Sequence, residues 1–146
     1  MEVERLVVVS LVVAGAMAVA LVAQRRRPDA PTQARWSVPS QIDRSDFTSP
    51  DVPWLVVVFT STTCGACAGT VAKTEVMACD EVAVTEVEVG ENPALHRRYD
   101  IDVVPTMVIA DGQGVVRASF VGPPVASELW AAMADLREDA GRGLEG

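Results

Sequence analysis

Thr60-Ser61-Thr62-Thr63-Cys64-Gly65-Ala66-Cys67 follows the apolar run Leu55-Val56-Val57-Val58-Phe59 and leads into a segment of helical character, Ala68 to Ala78. The order is a buried strand from Val52 to Phe59, a short polar loop, two cysteines spaced i and i+3, then a helix. In that context a C-x-x-C reads as a thiol–disulfide redox pair. A helix N-terminus carries unsatisfied N–H groups and a partial positive charge, which stabilises a thiolate placed there. That role falls to Cys64, the first and more exposed sulfur. Cys67 lies almost one turn later on the same face, where it can close a short disulfide or resolve a mixed one. Gly65 and Ala66 are small, so an extended substrate strand can approach. A static disulfide and half of a zinc site are the alternatives. Zinc needs two further sulfur or nitrogen ligands, and only Cys79 and His96 are on offer, without ligand spacing.

The 146 residues fit one domain of about 100 to 110 residues plus an extra segment. The net charge is −8, and no basic cluster exists beyond Arg25 to Arg27, so no nucleic-acid partner is expected. Three cysteines are too few for a disulfide framework. No metal and no cofactor are expected.

Leu6 to Ala23 is an uncharged, almost unbroken apolar run, reaching about 27 Å as a helix, near the thickness of a bilayer core. Ala18-Val19-Ala20 resembles the cleavage box of a signal peptide. Met1-Glu2-Val3-Glu4-Arg5, however, is not a basic leader, and Arg25-Arg26-Arg27 is an awkward flank for cleavage. The reading is a single-pass anchor in the cell membrane over residues 1–27, with the basic flank included. The Arg excess after the span places the soluble domain on the cytoplasmic side, with the extracytoplasmic side as the alternative. Residues 28–34, with Pro28 and Pro31, form a linker. The domain spans 35–138, and 139–146 is a flexible tail.

Within the domain, Arg35 to Val38 is expected as a short first strand, and Ile42 to Phe47 as a short helix capped by Ser40. Trp36 and Trp54 are packing residues, in the core or at its rim. Cys79, at the end of the redox helix, is expected to be a small buried or half-buried side chain, with a third redox partner, or a thiol that links to another protein, as the sharper reading. Val82 to Val89 alternates as a central strand. Glu86 shares parity with Val82 and Val84, so it reaches the sheet end or serves the chemistry. Asn92 caps a helix that begins with Pro93 and contains His96, read as a surface or packing residue. Thr106 to Ala110 follows Pro105 as a strand. Asp111-Gly112-Gln113-Gly114 is a hairpin turn, and Val115 to Val121 is the partner strand. Apolar residues at 125, 129, 132, 133 and 136 mark a last helix. The order β-α-β-α-β-α-β-β-α gives an α/β fold, a central mixed sheet with helices on both faces.

From about Arg35 to Arg137 the chain resembles thioredoxin. The resemblance rests on Cys64-Gly65-Ala66-Cys67 after a buried strand, on Val104-Pro105-Thr106, and on Glu91-Asn92-Pro93 followed by Tyr99-Asp100-Ile101. The hairpin and Val121-Gly122 before the last helix match as well. The resemblance implies a cis Pro105 beside a redox-active Cys64–Cys67 disulfide. It further implies that Thr63, Gly65, Ala66, Val104 and Pro105 face a protein disulfide substrate. The chain departs from the family at Thr63, where Trp is usual, and at Ala66, where Pro is usual. Val58 takes the place of a buried acid, and Glu86 that of a Lys. Glu86 is therefore the candidate to replace the missing acid as a buried carboxylate with a raised pKa, able to relay a proton. The expected function is a thiol–disulfide oxidoreductase that reduces protein disulfides through Cys64 and Cys67 at the membrane. It would act as a monomer, recycled by an electron donor the sequence does not name. The alternatives are a binding module that cycles little and a carrier of copper or another metal on the two thiolates.

Overall fold

The computed structural model describes residues 36–142, together with Arg5 and Met17. The expected span Leu6–Ala23 (Met17 excepted), its Arg25–Arg27 flank and the linker 28–34 lie outside the described residues. Among the described residues no helix is long and apolar enough to cross a membrane. The chain divides into two units after Arg35, and the unit that begins at Trp36 is described by itself.

The centre of the unit is β1, Trp54–Thr60, in which all seven residues are buried. It pairs in parallel with β2, Val82–Glu88, and antiparallel with β3, Thr106–Ala110. β3 pairs antiparallel with β4, Val116–Val121, so the sheet runs β2-β1-β3-β4. The helices are α1, Cys67–Glu75, α2, Pro93–Arg98, and α3, Ala126–Arg142.

A strand alternates its side chains between two faces, and β1 is apolar at every position from Trp54 to Phe59, so it can serve two cores at once. Leu55, Val57 and Phe59 point to one face and pack with Ile42, Phe47, Val87, Tyr99 and Val108, with Leu95 of α2 against them. Trp54, Val56 and Val58 point to the other and pack with Met77, Met107, Ile109, Leu129 and Met133, with Val71 of α1 and Leu136 of α3 against them. Each fully buried Val, Leu or Phe of this kind contributes about 1.5–3 kcal/mol, which makes β1 the element least able to accept a polar substitution.

Several expectations are corrected. Residues 36–39 form no strand, and near them only an isolated bridge, Gln41 to Val115, reaches the sheet. β2 is an edge strand among the described residues, paired with β1 alone, and not a central one. The short helix is a 3-10 turn, Arg44–Asp46, capped by Asp43, whose side chain accepts from the Ser45 N–H; Ser40 caps nothing there. Asn92 precedes α2 and Pro93 opens it, but the Asn92 side chain makes no cap hydrogen bond. The final helix does not fray at 139 but runs to Arg142, with Leu129 and Met133 as its buried stripe. Trp54 is a core residue and Trp36 is 54% exposed. Cys79 is exposed rather than buried, because the chain bridges back at Cys79–Val82 and turns the side chain outward beside Arg137.

Candidate active site

The loop that leaves β1 is short and ordered by its own hydroxyls. Ser61 Oγ lies 3.0 Å from Thr63 Oγ1 and accepts the Thr63 N–H at 3.3 Å. The Cys64 N–H donates to Ser61 O at 3.0 Å. Helix α1 begins at Cys67, with Ala66 as an N-cap that offers no side-chain bond. Cys64 therefore lies three positions before the first helical residue, in the turn and not on the helix itself. The Cys67 N–H returns to Cys64 O at 3.3 Å. The two sulfurs form a disulfide, with Cα atoms 5.5 Å apart. Cys64 is half-buried and Cys67 is only 3% exposed. This asymmetry makes Cys64 the sulfur that a partner thiol or disulfide reaches first.

Cys64 and Cys67 line a concavity of about 330 Å³, shared with Ser61, Glu75, Glu86 and Glu88. A larger one, about 850 Å³, holds none of the candidate residues and lies between Ser37, Asp43, Arg98, Tyr99 and Gln113. The smaller space is the chemically relevant one because it contains the reactive sulfurs. Thr63, Gly65 and Ala66 are exposed on the loop, and a Cβ added at Gly65 would meet no heavy atom within 4 Å. The motif is open to an approaching chain.

Glu86 departs from the expectation. It is not a buried carboxylate but an exposed one, on a strand whose Val82 and Val87 are buried. It stands beside Val58 in the parallel register, and its Oε1 accepts from Thr60 Oγ1 at 2.7 Å. The structure brings it into the same concavity as the two sulfurs, on the solvent side.

Pro105 is buried, Val104 is half-buried, and the Val104–Pro105 peptide bond is cis. Phe59 pairs with Thr106, so Pro105 stands at the end of β3 that neighbours Thr60, the end from which the cysteine loop departs. Thr106 Oγ1 donates to Val103 O at 2.7 Å. The Gly122 N–H donates to Pro105 O at 2.8 Å, from a backbone with φ of +87° that favours glycine. Pro105 does not line the concavity that Glu86 shares with the sulfurs.

Glu88 is the residue the sequence reading missed. Its Oε1 accepts the Thr62 N–H and its Oε2 the Glu91 N–H, both at 3.0 Å. The Thr62 amide, helped by those of Glu91 and Gly90, holds this carboxyl below the usual carboxylate range against the opposing effect of desolvation. No local signal in the sequence marks it, because its partner Thr62 lies 26 residues away.

His96 is a packing residue. It is 5% exposed, its Nε2 donates to the Val87 carbonyl at 2.9 Å, and its ring meets Phe59 edge-on at 5.2 Å between centroids. Among the described residues no group of three or more His, Cys, Asp and Glu side chains converges as a metal site.

The family model described as Thioredoxin matches residues 45–135. A search of curated proteins finds no match. Among solved structures, the chain is similar to the germline-specific thioredoxin Deadhead of Drosophila melanogaster, at 28% identity and a TM-score of 0.53, over 60% of this chain and 84% of that one. It is also similar to a Fasciola hepatica thioredoxin, at 25% identity and a TM-score of 0.52, over 59% and 83%. Oxidised mitochondrial thioredoxin 3 of Saccharomyces cerevisiae shares the fold at 22% identity and a TM-score of 0.50, over 59% and 81%.

Proposed function

The chain belongs to the thioredoxin family, and on that premise we propose that it reduces protein disulfides through a Cys64/Cys67 dithiol–disulfide cycle at a membrane. The observation that carries this reading is the asymmetry of the pair: Cys64 half-buried in an open turn, Cys67 buried as the first residue of α1.

In the proposed cycle the Cys64 thiolate attacks one sulfur of a substrate disulfide. The substrate S–S bond breaks, a mixed disulfide forms, and the departing substrate thiolate takes a proton. Cys67 then loses its proton and attacks Cys64. The Cys64–Cys67 bond forms as the second substrate thiolate leaves. Two electrons pass from the dithiol to the substrate, and an electron donor must return them. Thr63, Gly65 and Ala66 present the motif, and the Val104–Pro105 backbone is the expected rest for the substrate strand. Glu86 is the carboxylate that can receive the Cys67 proton, directly or through water. It reaches the sulfurs from the solvent side of their concavity, and its bond goes to Thr60 Oγ1.

The uncharged run Leu6–Ala23 supports single-pass anchoring in the cell membrane, and Arg25–Arg27 support a cytoplasmic domain. Impermeant maleimide applied to intact cells tests the side through the exposed Cys79; labelling without lysis would place the domain outside. The protein is proposed to act as a monomer on protein disulfides.

The deciding experiment is the reduction potential of the pair in glutathione and dithiothreitol buffers, together with trapping. A value near −270 mV is expected for a reductase, and one near −120 mV would make the protein an oxidant, on the approximate scale of thiol oxidoreductases. Cys67→Ser is expected to accumulate a mixed disulfide through Cys64, and Cys64→Ser to accumulate none. Absence of the adduct in Cys67→Ser would leave a binding module.

A further inference from the structure

The cycle above uses two sulfurs on a loop, and the loop has no helix or strand of its own between Ser61 and Ala66. Its hydroxyl bonds, Ser61 with Thr63, are internal and cannot fix it relative to the sheet. An anchor from outside comes from Glu88. This is the last residue of β2, paired with Thr60, the last residue of β1. One carboxylate oxygen takes the Thr62 N–H and the other takes the Glu91 N–H, so a single side chain spans the cysteine loop and the β2–α2 turn. Gly90 lacks the side chain that would crowd Glu88 Oε2, and so leaves the carboxylate its place. The same carboxylate lines the concavity of Cys64 and Cys67.

We propose that Glu88 is a positioning residue of the redox loop: its carboxylate fixes the Thr62 amide and, through it, holds Cys64 in the place from which it bonds to Cys67. The value of that placement to turnover rests on the oxidoreductase reading; the placement itself does not.

Hydrogen bonds to a charged acceptor are about twice as strong as neutral ones, and Thr62 is two residues from Cys64. Releasing the loop lowers the effective concentration of one sulfur at the other, which favours the dithiol over the disulfide. Removing the carboxylate charge beside Cys64 favours its thiolate, and so acts in the same direction. The other titratable groups around Glu88 are Glu86 on its strand, Glu75 on α1, Glu91 in the turn and His96 on α2. Glu88→Gln separates the two effects: it removes the charge and keeps a side-chain oxygen that can accept the Thr62 N–H.

The test uses the full-length chain, with amide hydrogen exchange in the oxidised state and equilibration against glutathione. In Glu88→Ala the Thr62 and Glu91 amides are expected to exchange about tenfold faster. The dithiol–disulfide equilibrium is expected to move about tenfold toward the dithiol, a rise of about 30 mV. Glu88→Gln, which keeps the shape of the side chain, is expected to move both readouts in the same direction by about threefold, because a neutral acceptor bonds about half as strongly, and it keeps the proposal testable if Glu88→Ala does not fold. Unchanged exchange at Thr62 overturns the proposal. Faster exchange with an unmoved equilibrium also overturns it, since Glu88 would then hold the loop without placing Cys64. If the wild-type protein fails to reduce any protein disulfide, the oxidoreductase reading falls, yet the two readouts still decide the positioning role.

Discussion

Glu86 stands beside Val58 in the parallel register of β1 and β2, one residue fully buried and the other in solvent. The pair inverts the simplest expectation for an acid near a redox disulfide. Val58 faces the core between α1 and α3, and Glu86, on the edge strand, bonds to the Thr60 hydroxyl instead. A well-placed general base contributes about 10²–10⁴-fold. Glu86 is held by Thr60 Oγ1 and not by a sulfur, so Glu86→Gln is expected to slow disulfide exchange by less than that, about threefold. A pH–rate profile of exchange checks this; a loss of about 10²-fold or more would restore the strong-base role.

Gly114 meets the 3-10 turn segment at closest range. The Ile42 N–H donates to Gly114 O at 2.8 Å, Gly114 has φ of +80°, and an added Cβ would lie 2.1 Å from Ile42 O. The obstacle is backbone, which cannot swing aside. Gly114→Ala is expected to cost about 3 kcal/mol or more, combining strain with the lost contact. Urea unfolding measures it. Gly65→Ala, with open space at the Cβ, is the contrasting variant and is expected to stay within about 0.5 kcal/mol.

Tyr99 is the chain's one tyrosine, so its titration is readable without interference. Its hydroxyl donates to Asp46 Oδ2 and accepts the Asp43 N–H. Burial first, and then the Asp46 carboxylate, push its pKa from 10.0 up to about 12. The folded state holds the phenolic proton more tightly than the unfolded state. The linked stability is therefore fully present below about pH 10 and is lost as pH rises toward about 12. Absorbance of the phenolate should appear late in the folded protein and at about pH 10 in denaturant. Equal midpoints would show that neither the burial of the ring nor the Asp46 contact holds in solution.

Thiol accessibility separates the three cysteines. With the Cys64–Cys67 disulfide closed, Cys79 is the remaining free thiol and is exposed. One maleimide per oxidised chain is expected, at Cys79. After reduction Cys64 should react next, and Cys67, 3% exposed, last. Mass analysis of timed samples gives the order, and early labelling of Cys67 would contradict the asymmetry on which the proposed cycle depends.

Much of the fold was legible in local patterns. The unbroken apolar run ending at Phe59 is short and rich in valine, which favours a strand covered on both faces over a helix. The turn at Asp111–Gly114 and the stripe at Leu129, Ala132, Met133 and Leu136 each announce their element through short-range geometry. The cysteine pair was legible for the same reason, since a spacing of three residues after a buried strand leaves few arrangements of the sulfurs. His96 was read as surface or packing, and the burial beneath Phe59 decides for packing.

What the sequence by itself determined is what depends on neighbours along the chain: the strands, the helices, the hairpin, and the Cys64–Cys67 motif at the end of β1. What only the tertiary structure decided is what depends on partners far apart in sequence. The periodicity of Val82 to Val89 is the same for an edge strand as for a central one, so it could not say that Glu86 meets water. Nor could it say that Glu88, sharing its parity, reaches across 26 residues to the Thr62 amide. Side-chain period is a local property of the backbone. Which strand lies alongside, and whether one does, is settled only when the sheet assembles.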